Sequence, residues 1–160
     1  MSTAAIFGLR ALQRGTTAAY VDWANFMLEA GHDSRNLRIL AGLGSFTSSF
    51  EAQDHFTNAL VELGIKEPDK ERAVRDYAVY LAERIIDGSL AYRAGVKIIA
   101  DLCISSNYPR YLSKWYELED DMWDLDYGET PWFHHELTLK NAQKIVEKEA
   151  REFLETLKGN

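Results

Sequence analysis

The chain is poor in residues that build covalent or membrane-spanning frameworks. It has 160 residues, with one cysteine, Cys103, and three prolines. A single cysteine cannot close an internal disulfide, which fits a reducing compartment, so we expect a cytoplasmic protein. No apolar run approaches the roughly 20 residues needed to span a bilayer, so the sequence predicts no membrane segment.

Signals for strands and for catalysis are also missing. Alternation of apolar and polar residues is absent over any useful length, and the hairpin dipeptide Asn-Gly does not occur. There is no serine nucleophile elbow, no zinc-protease His-Glu-x-x-His motif and no phosphate-binding loop. We therefore expect neither an enzyme nor a cofactor.

The composition is that of an ordinary globular protein, with 46% apolar and 27% charged residues. A chain of this length fits one domain, over residues 1–160, and needs no disulfide or metal to fold. The formal net charge of -7 argues against nucleic acid as a direct partner, because phosphate backbones attract basic surfaces.

Apolar residues three and four apart predict one helix after another. Thr16 or Thr17 is expected to cap a helix that ends at Gly31, and Ser48 with Glu51 forms a capping box. Pro68 suits the first turn of a later helix, and a further helix is expected from Pro109 to about Asp124. The clearest apolar stripe comes last, before Gly159-Asn160: Ala142, Ile145, Val146, Ala150, Phe153, Leu154 and Leu157. These patterns predict an all-α single domain, an irregular bundle of about seven or eight mostly antiparallel helices.

The negative charge is concentrated in residues 117–136. This stretch has eight acidic residues and no lysine or arginine, while the other 140 residues have 17 acids and 18 bases. Three of the four tryptophans lie in or beside it, within 18 residues. The acids are Glu117, Glu119, Asp120, Asp121, Asp124, Asp126, Glu129 and Glu136, and the aromatics are Trp115, Tyr116, Trp123, Tyr127, Trp132 and Phe133.

Two interpretations of this stretch compete. The acids could lie on a solvated helix face with no function beyond solubility. Alternatively they form a docking surface, where aromatic rings provide buried area and carboxylates steer a cationic partner. The docking hypothesis assigns partner binding to Glu117, Asp120, Asp121, Trp123, Asp124, Asp126, Tyr127 and Trp132.

A metal site is the third interpretation of the same stretch. His134 and His135 follow the acids, and Glu117, Asp121 and Asp124 are spaced to share a helix face. Adjacent histidines on a helix point about 100° apart and rarely bind one ion together, and the spacing of a calcium loop or a di-iron bundle is absent. The docking hypothesis therefore assigns no metal.

Two short segments carry a resemblance. Tyr20-Val21-Asp22-Trp23-Ala24, followed by Gly31, Ser34 and the run Leu37–Leu43, resembles stretches of small uncharacterised bacterial helical proteins. Some of those proteins are similar to the immunity partners of polymorphic or contact-dependent toxins. The likeness covers about 25 residues and implies no site residue.

Three functional hypotheses follow. The first is a non-enzymatic binding module, an immunity or inhibitor protein that covers a basic toxin surface such as the groove of a nuclease domain. The second is a metal-dependent hydrolase that uses carboxylates with His134 or His135. The third is a scaffold whose tryptophan-rich segment forms a homodimer.

Overall fold

The computed structural model describes residues 1–44 and 46–158, and every regular element in them is helical. The chain is 69% helical, which confirms the all-α class and the predicted number of helices. Within these residues no helix is both long and apolar enough to cross a bilayer. The α-helices are α1 Thr3–Ala11, α2 Thr17–Glu29, α3 Arg35–Ala41, α4 Ser49–Glu62, α5 Lys70–Ile86, α6 Tyr92–Ser105, α7 Ser113–Asp126 and α8 Ala142–Lys158.

The contacts divide the chain into two compact units, Met1–Tyr77 and Ala78–Asn160. The boundary lies inside α5, where no proline, glycine or polar run interrupts the sequence. The single domain over residues 1–160 stays a prediction.

The helix starts follow the side chains that satisfy free backbone amides. Thr16 accepts a hydrogen bond from the amide of Ala19, and Ser48 accepts one from the amide of Glu51, as predicted. Two helices end at glycines in the left-handed region, Gly31 with φ +86° and Gly64 with φ +66°. Only glycine adopts this conformation without steric cost, so both ends are encoded locally.

Two helix boundaries differ from the predictions. Pro68, predicted to lie in the first turn of α5, precedes the helix, because Asp69 caps it: Oδ1 of Asp69 accepts a hydrogen bond from the amide of Arg72. The helix expected from Pro109 begins as a 3-10 turn at Arg110–Leu112, and the α-helix runs from Ser113 to Asp126. The predicted end at Gly159-Asn160 lies outside the described residues.

The core of the first unit is built around Phe56 of α4. Its ring centroid lies 4.7 Å from that of Trp23 and 5.0 Å from that of Tyr20, both from α2. The Trp23 indole also donates a hydrogen bond to the Thr3 hydroxyl, which joins α1 to α2. A large aromatic core of this kind supplies most of the burial that stabilises a small unit.

In the core of the second unit, α6 packs against both α7 and α8. Trp115 and Leu118 of α7 are buried, and the Trp115 ring packs edge-on against Phe153 of α8 at 5.7 Å. Ile99 and Cys103 of α6 are buried as well. One side of α7 is therefore fixed inward, which leaves its opposite side facing solvent.

Candidate protein-binding surface

The solvent-facing side of α7 carries three aromatic residues, Tyr116, Trp123 and Tyr127, which we call the aromatic stripe. Their spacing of seven and four residues places them within about 40° of one another around the helix. Trp123 is 56% exposed and Tyr127 67% exposed, and their ring centroids lie 4.3 Å apart. The Trp123 indole is therefore exposed on the surface of α7, where the docking hypothesis needs it.

A groove between α6 and α7 runs beside the aromatic stripe. Its volume is about 330 Å³. At one end the Tyr116 ring packs edge-on against the exposed ring of Tyr108, with centroids 5.8 Å apart. The α6–α7 groove combines apolar walls with three carboxylates, and its lining residues are Ala100, Asp101, Ile104, Tyr116, Glu119, Asp120 and Trp123.

Three of the predicted docking acids lie on or beside this face of α7. Asp120 is exposed, and Glu117 and Asp124 are half-buried. None of the three side chains makes a hydrogen bond or ion pair with any residue that the structure describes. Asp120 and Asp124 therefore have no direct counter-ion within this part of the chain, whereas Glu117 lies close enough to Lys114 to interact with its charge.

Asp121 does not lie on this surface, which corrects its assignment to the docking set. It is fully buried. Its Oδ1 accepts a hydrogen bond from the Phe133 amide at 2.9 Å, and its Oδ2 accepts one from the His134 amide at 2.7 Å. A buried carboxylate is stable only when donors satisfy it in this way. Asp121 therefore anchors the segment that follows α7.

Asp126 is exposed but its charge is already compensated. Both of its carboxylate oxygens accept hydrogen bonds from the Arg93 guanidinium of α6, at 2.6 and 2.8 Å. This bidentate pair raises the pKa of Arg93. Asp126 therefore contributes less to an attractive field than the docking hypothesis assumed.

Glu119 is a groove residue that the docking hypothesis left out. It is half-buried, and burial raises the pKa of its carboxyl group, an effect that the nearby charges of Lys97 and Arg93 oppose. The sequence offered no signal for it, because the burial is created by α6, whose residues lie about 20 positions away.

Trp132 lies in the α7–α8 connection, which we define as residues 128–141, after Tyr127 caps the C-terminus of α7. Its indole is 74% exposed, whereas Pro131 before it is buried and the backbone of Phe133 after it is bound to Asp121. Farther along, the Asn141 side chain bonds to the Thr138 amide and the Glu136 carbonyl. The backbone of this connection is thus held on both sides of Trp132.

His134 and His135 make hydrogen bonds to different partners. His134 Nδ1 lies 2.7 Å from Oδ2 of Asp121, and His135 Nδ1 lies 3.0 Å from the Pro131 carbonyl oxygen. With Asp121 ionised, Nδ1 of His134 is the donor. Across residues 1–44 and 46–158, no group of three or more His, Cys, Asp or Glu side chains is placed to hold a metal ion.

Comparison of the chain with protein-family models, with curated proteins and with solved structures gives no match.

Proposed function

We propose that this protein is a non-enzymatic binding module that docks a basic protein partner on the solvent-facing side of α7. The observation that carries the proposal is the coincidence, on one helix face, of the aromatic stripe with carboxylates that lack a partner among the described residues. Trp123 and Tyr127 provide exposed ring surface, and Asp120 and Asp124 provide negative charge beside it.

The two kinds of residue would do different work in binding. Tryptophan and tyrosine are enriched among the residues that dominate interface energies, because they bury large areas with little loss of conformational freedom. Exposed carboxylates contribute mainly to the rate of association, since they attract a cationic surface before contact and are screened by salt. We therefore assign affinity to the aromatic stripe and steering to Asp120, Asp124 and Glu117.

Trp132 is a separate exposed indole of the same unit, on the connection that Asp121 holds from the side of α7 opposite to Trp123. Immobilising a flexible side chain on binding costs about 0.5–1.5 kcal/mol, and a fixed backbone reduces that cost. The hydrogen bonds of Asp121 to Phe133 and His134 fix the backbone beside Trp132 before any partner arrives. We propose that Trp132 is a second anchor and that Asp121 acts as its positioning residue.

The partner class that best suits this surface is a toxin with a basic active-site groove, such as a nuclease domain. Such a groove is lined with lysine and arginine to hold phosphates. An acidic, aromatic surface complements it, and electrostatic steering gives the fast association that an immunity protein in the cytoplasm needs. The resemblance of the segments around Trp23 and Leu40 to immunity-type proteins points in the same direction.

Photo-crosslinking in the source cells tests the proposal. Benzoylphenylalanine would replace Tyr127 on α7 in one variant and Phe50 on α4 in a matched control, because Phe50 is exposed but lies in the other unit. We expect a basic protein to crosslink at position 127 and not at position 50. The crosslinked protein would then be purified and its binding to the full chain measured.

The purified pair gives the decisive measurement. We expect Trp123→Ala to weaken binding at least tenfold, and Asp120→Asn with Asp124→Asn to slow association and flatten its salt dependence. Unchanged binding by Trp123→Ala would overturn the proposal. Crosslinks that join two copies of the chain at position 127 would replace it with the homodimer hypothesis.

A further inference from the structure

We infer that the α6–α7 groove receives one arginine side chain of the partner, with Glu119 as its counter-ion. The inference rests on the proposed function and specifies the chemical group that the partner inserts. It follows from the charge of the groove, from its aromatic wall and from its size.

Glu119 is the half-buried carboxylate of the groove to which no described cation bonds directly, although Lys97 and Arg93 act on it from a distance. Its side chain is half-buried and makes no hydrogen bond or ion pair within the described ranges 1–44 and 46–158. Arg93, the nearby guanidinium, already donates to both oxygens of Asp126. Lys97 acts on Glu119 without a direct contact, and Asp101 and Asp126 add negative charge around it. A cation supplied by the partner would give the Glu119 carboxylate a direct counter-ion.

The walls of the groove favour a guanidinium over an ammonium group. Tyr116 and Trp123 present aromatic rings, and Glu119 and Asp120 present carboxylates to the same space. A planar guanidinium stacks on aromatic rings and pairs with carboxylates through two parallel hydrogen bonds, whereas an ammonium is a strongly hydrated point charge.

The groove has room for one extended side chain of the partner. Its volume is about 330 Å³. An extended arginine can lie along it, with an apolar neighbour of the partner against Ile104, which is exposed at the edge. The partner segment is thus expected to carry an arginine flanked by an apolar residue.

An NMR titration of the ¹⁵N-labelled full chain tests this inference. The probe is the tripeptide N-acetyl-Leu-Arg-Leu-amide, and the matched peptide carries citrulline, which keeps the shape of arginine without its charge. We expect the arginine peptide to shift the amides of Asp101, Ile104 and Glu119 and the indole of Trp123. Citrulline is expected to weaken binding at least fivefold, and lysine to give an intermediate affinity.

Two variants make the test specific to Glu119. Glu119→Gln removes the proposed counter-ion, while Glu155→Gln removes the same charge from the exposed side of α8, outside the groove and the docking set. We expect at least a threefold loss of peptide affinity from the first and less than a twofold loss from the second. The inference fails if the citrulline peptide binds equally well, if the two variants behave alike, or if no shift maps to the groove. The proposed docking surface is tested separately by the crosslinked partner and by Trp123→Ala.

Discussion

The buried carboxylate of Asp121 lies 2.7 Å from both the backbone nitrogen and the ring Nδ1 of His134. One side chain of α7 thereby fixes the start of an irregular segment. Burying an acid in a small protein costs free energy, and the hydrogen bonds to His134 and Phe133 offset that cost.

We expect Asp121→Asn to lower the free energy of unfolding by about 2–4 kcal/mol, because an amide NH₂ would face backbone donors in place of an acceptor. Asp120→Asn is the matched control, since Asp120 is exposed, and its effect should stay within about 0.5 kcal/mol. Urea unfolding at pH 7 measures both. Equal effects of the two variants would mean that Asp121 does not anchor the connection.

Because of Glu119, we expect the free energy of unfolding to depend on pH. Burial raises the pKa of its carboxyl group, so the folded protein holds this proton more tightly than the unfolded chain does. The group therefore lowers stability as the pH rises from the unfolded pKa through the folded pKa. We expect Glu119→Gln to unfold with a higher free energy than the parent protein at pH 7.

The advantage of Glu119→Gln should shrink as the pH falls and vanish below the unfolded pKa, where the parent carboxyl is protonated as well. Urea unfolding of both proteins between pH 3 and pH 7 follows this difference, and Glu117→Gln provides the control. A constant difference across this range would contradict the assignment of a raised pKa.

Replacing Gly8 of α1 with a residue that has a side chain is expected to cause a steric clash within the first unit. A Cβ atom at this position would lie 2.4 Å from Cβ and Cδ1 of Tyr77, which is closer than real contacts allow. Alanine favours helices by up to about 1 kcal/mol, but overpacking typically costs about 1–3 kcal/mol. We expect a net loss of about 1–2 kcal/mol for Gly8→Ala in thermal or urea unfolding.

Gly44 provides the comparison for this substitution, because nothing lies within 4 Å of its Cβ position and its φ is not positive. Gly44→Ala should unfold within about 0.5 kcal/mol of the parent protein. If Gly8→Ala were as stable as Gly44→Ala, α1 would not approach Tyr77 as closely as the structure has it.

We expect the thiol of Cys103 to react slowly in the folded protein. The thiol is fully buried in α6, and burial raises its pKa, so little thiolate is available to react. We expect an aromatic disulfide reagent to label the native protein at least about tenfold more slowly than the urea-unfolded chain. Fast labelling of the native protein, with unfolding excluded by circular dichroism, would contradict the buried position.

The features that the sequence predicted most accurately are those with a local cause, such as the starts and ends of helices. Thr16 and Ser48 cap helices through bonds to residues three positions away, and Gly31 and Gly64 end helices through their own backbone freedom. From the sequence alone, Trp123 could lie either on the surface or in the core. Helical spacing does not say which face of a helix another helix will cover.

The charges were predicted least well, because their partners are far away in sequence. Arg93 and Asp126 are 33 residues apart, and Asp121 is 13 residues from His134 across an irregular segment. No spacing rule connects such positions. The count of acids in residues 117–136 was therefore a poor measure of the field, because one of them is buried and another is paired.

The four tryptophans divide evenly between interior and surface, since Trp23 and Trp115 are buried while Trp123 and Trp132 are exposed. Both exposed indoles belong to elements that we assign to partner contact. The native chain thus contains its own fluorescent reporter: acrylamide, an uncharged quencher, should quench about half of the emitters, and a bound partner should shield that same half and shift the emission to shorter wavelength.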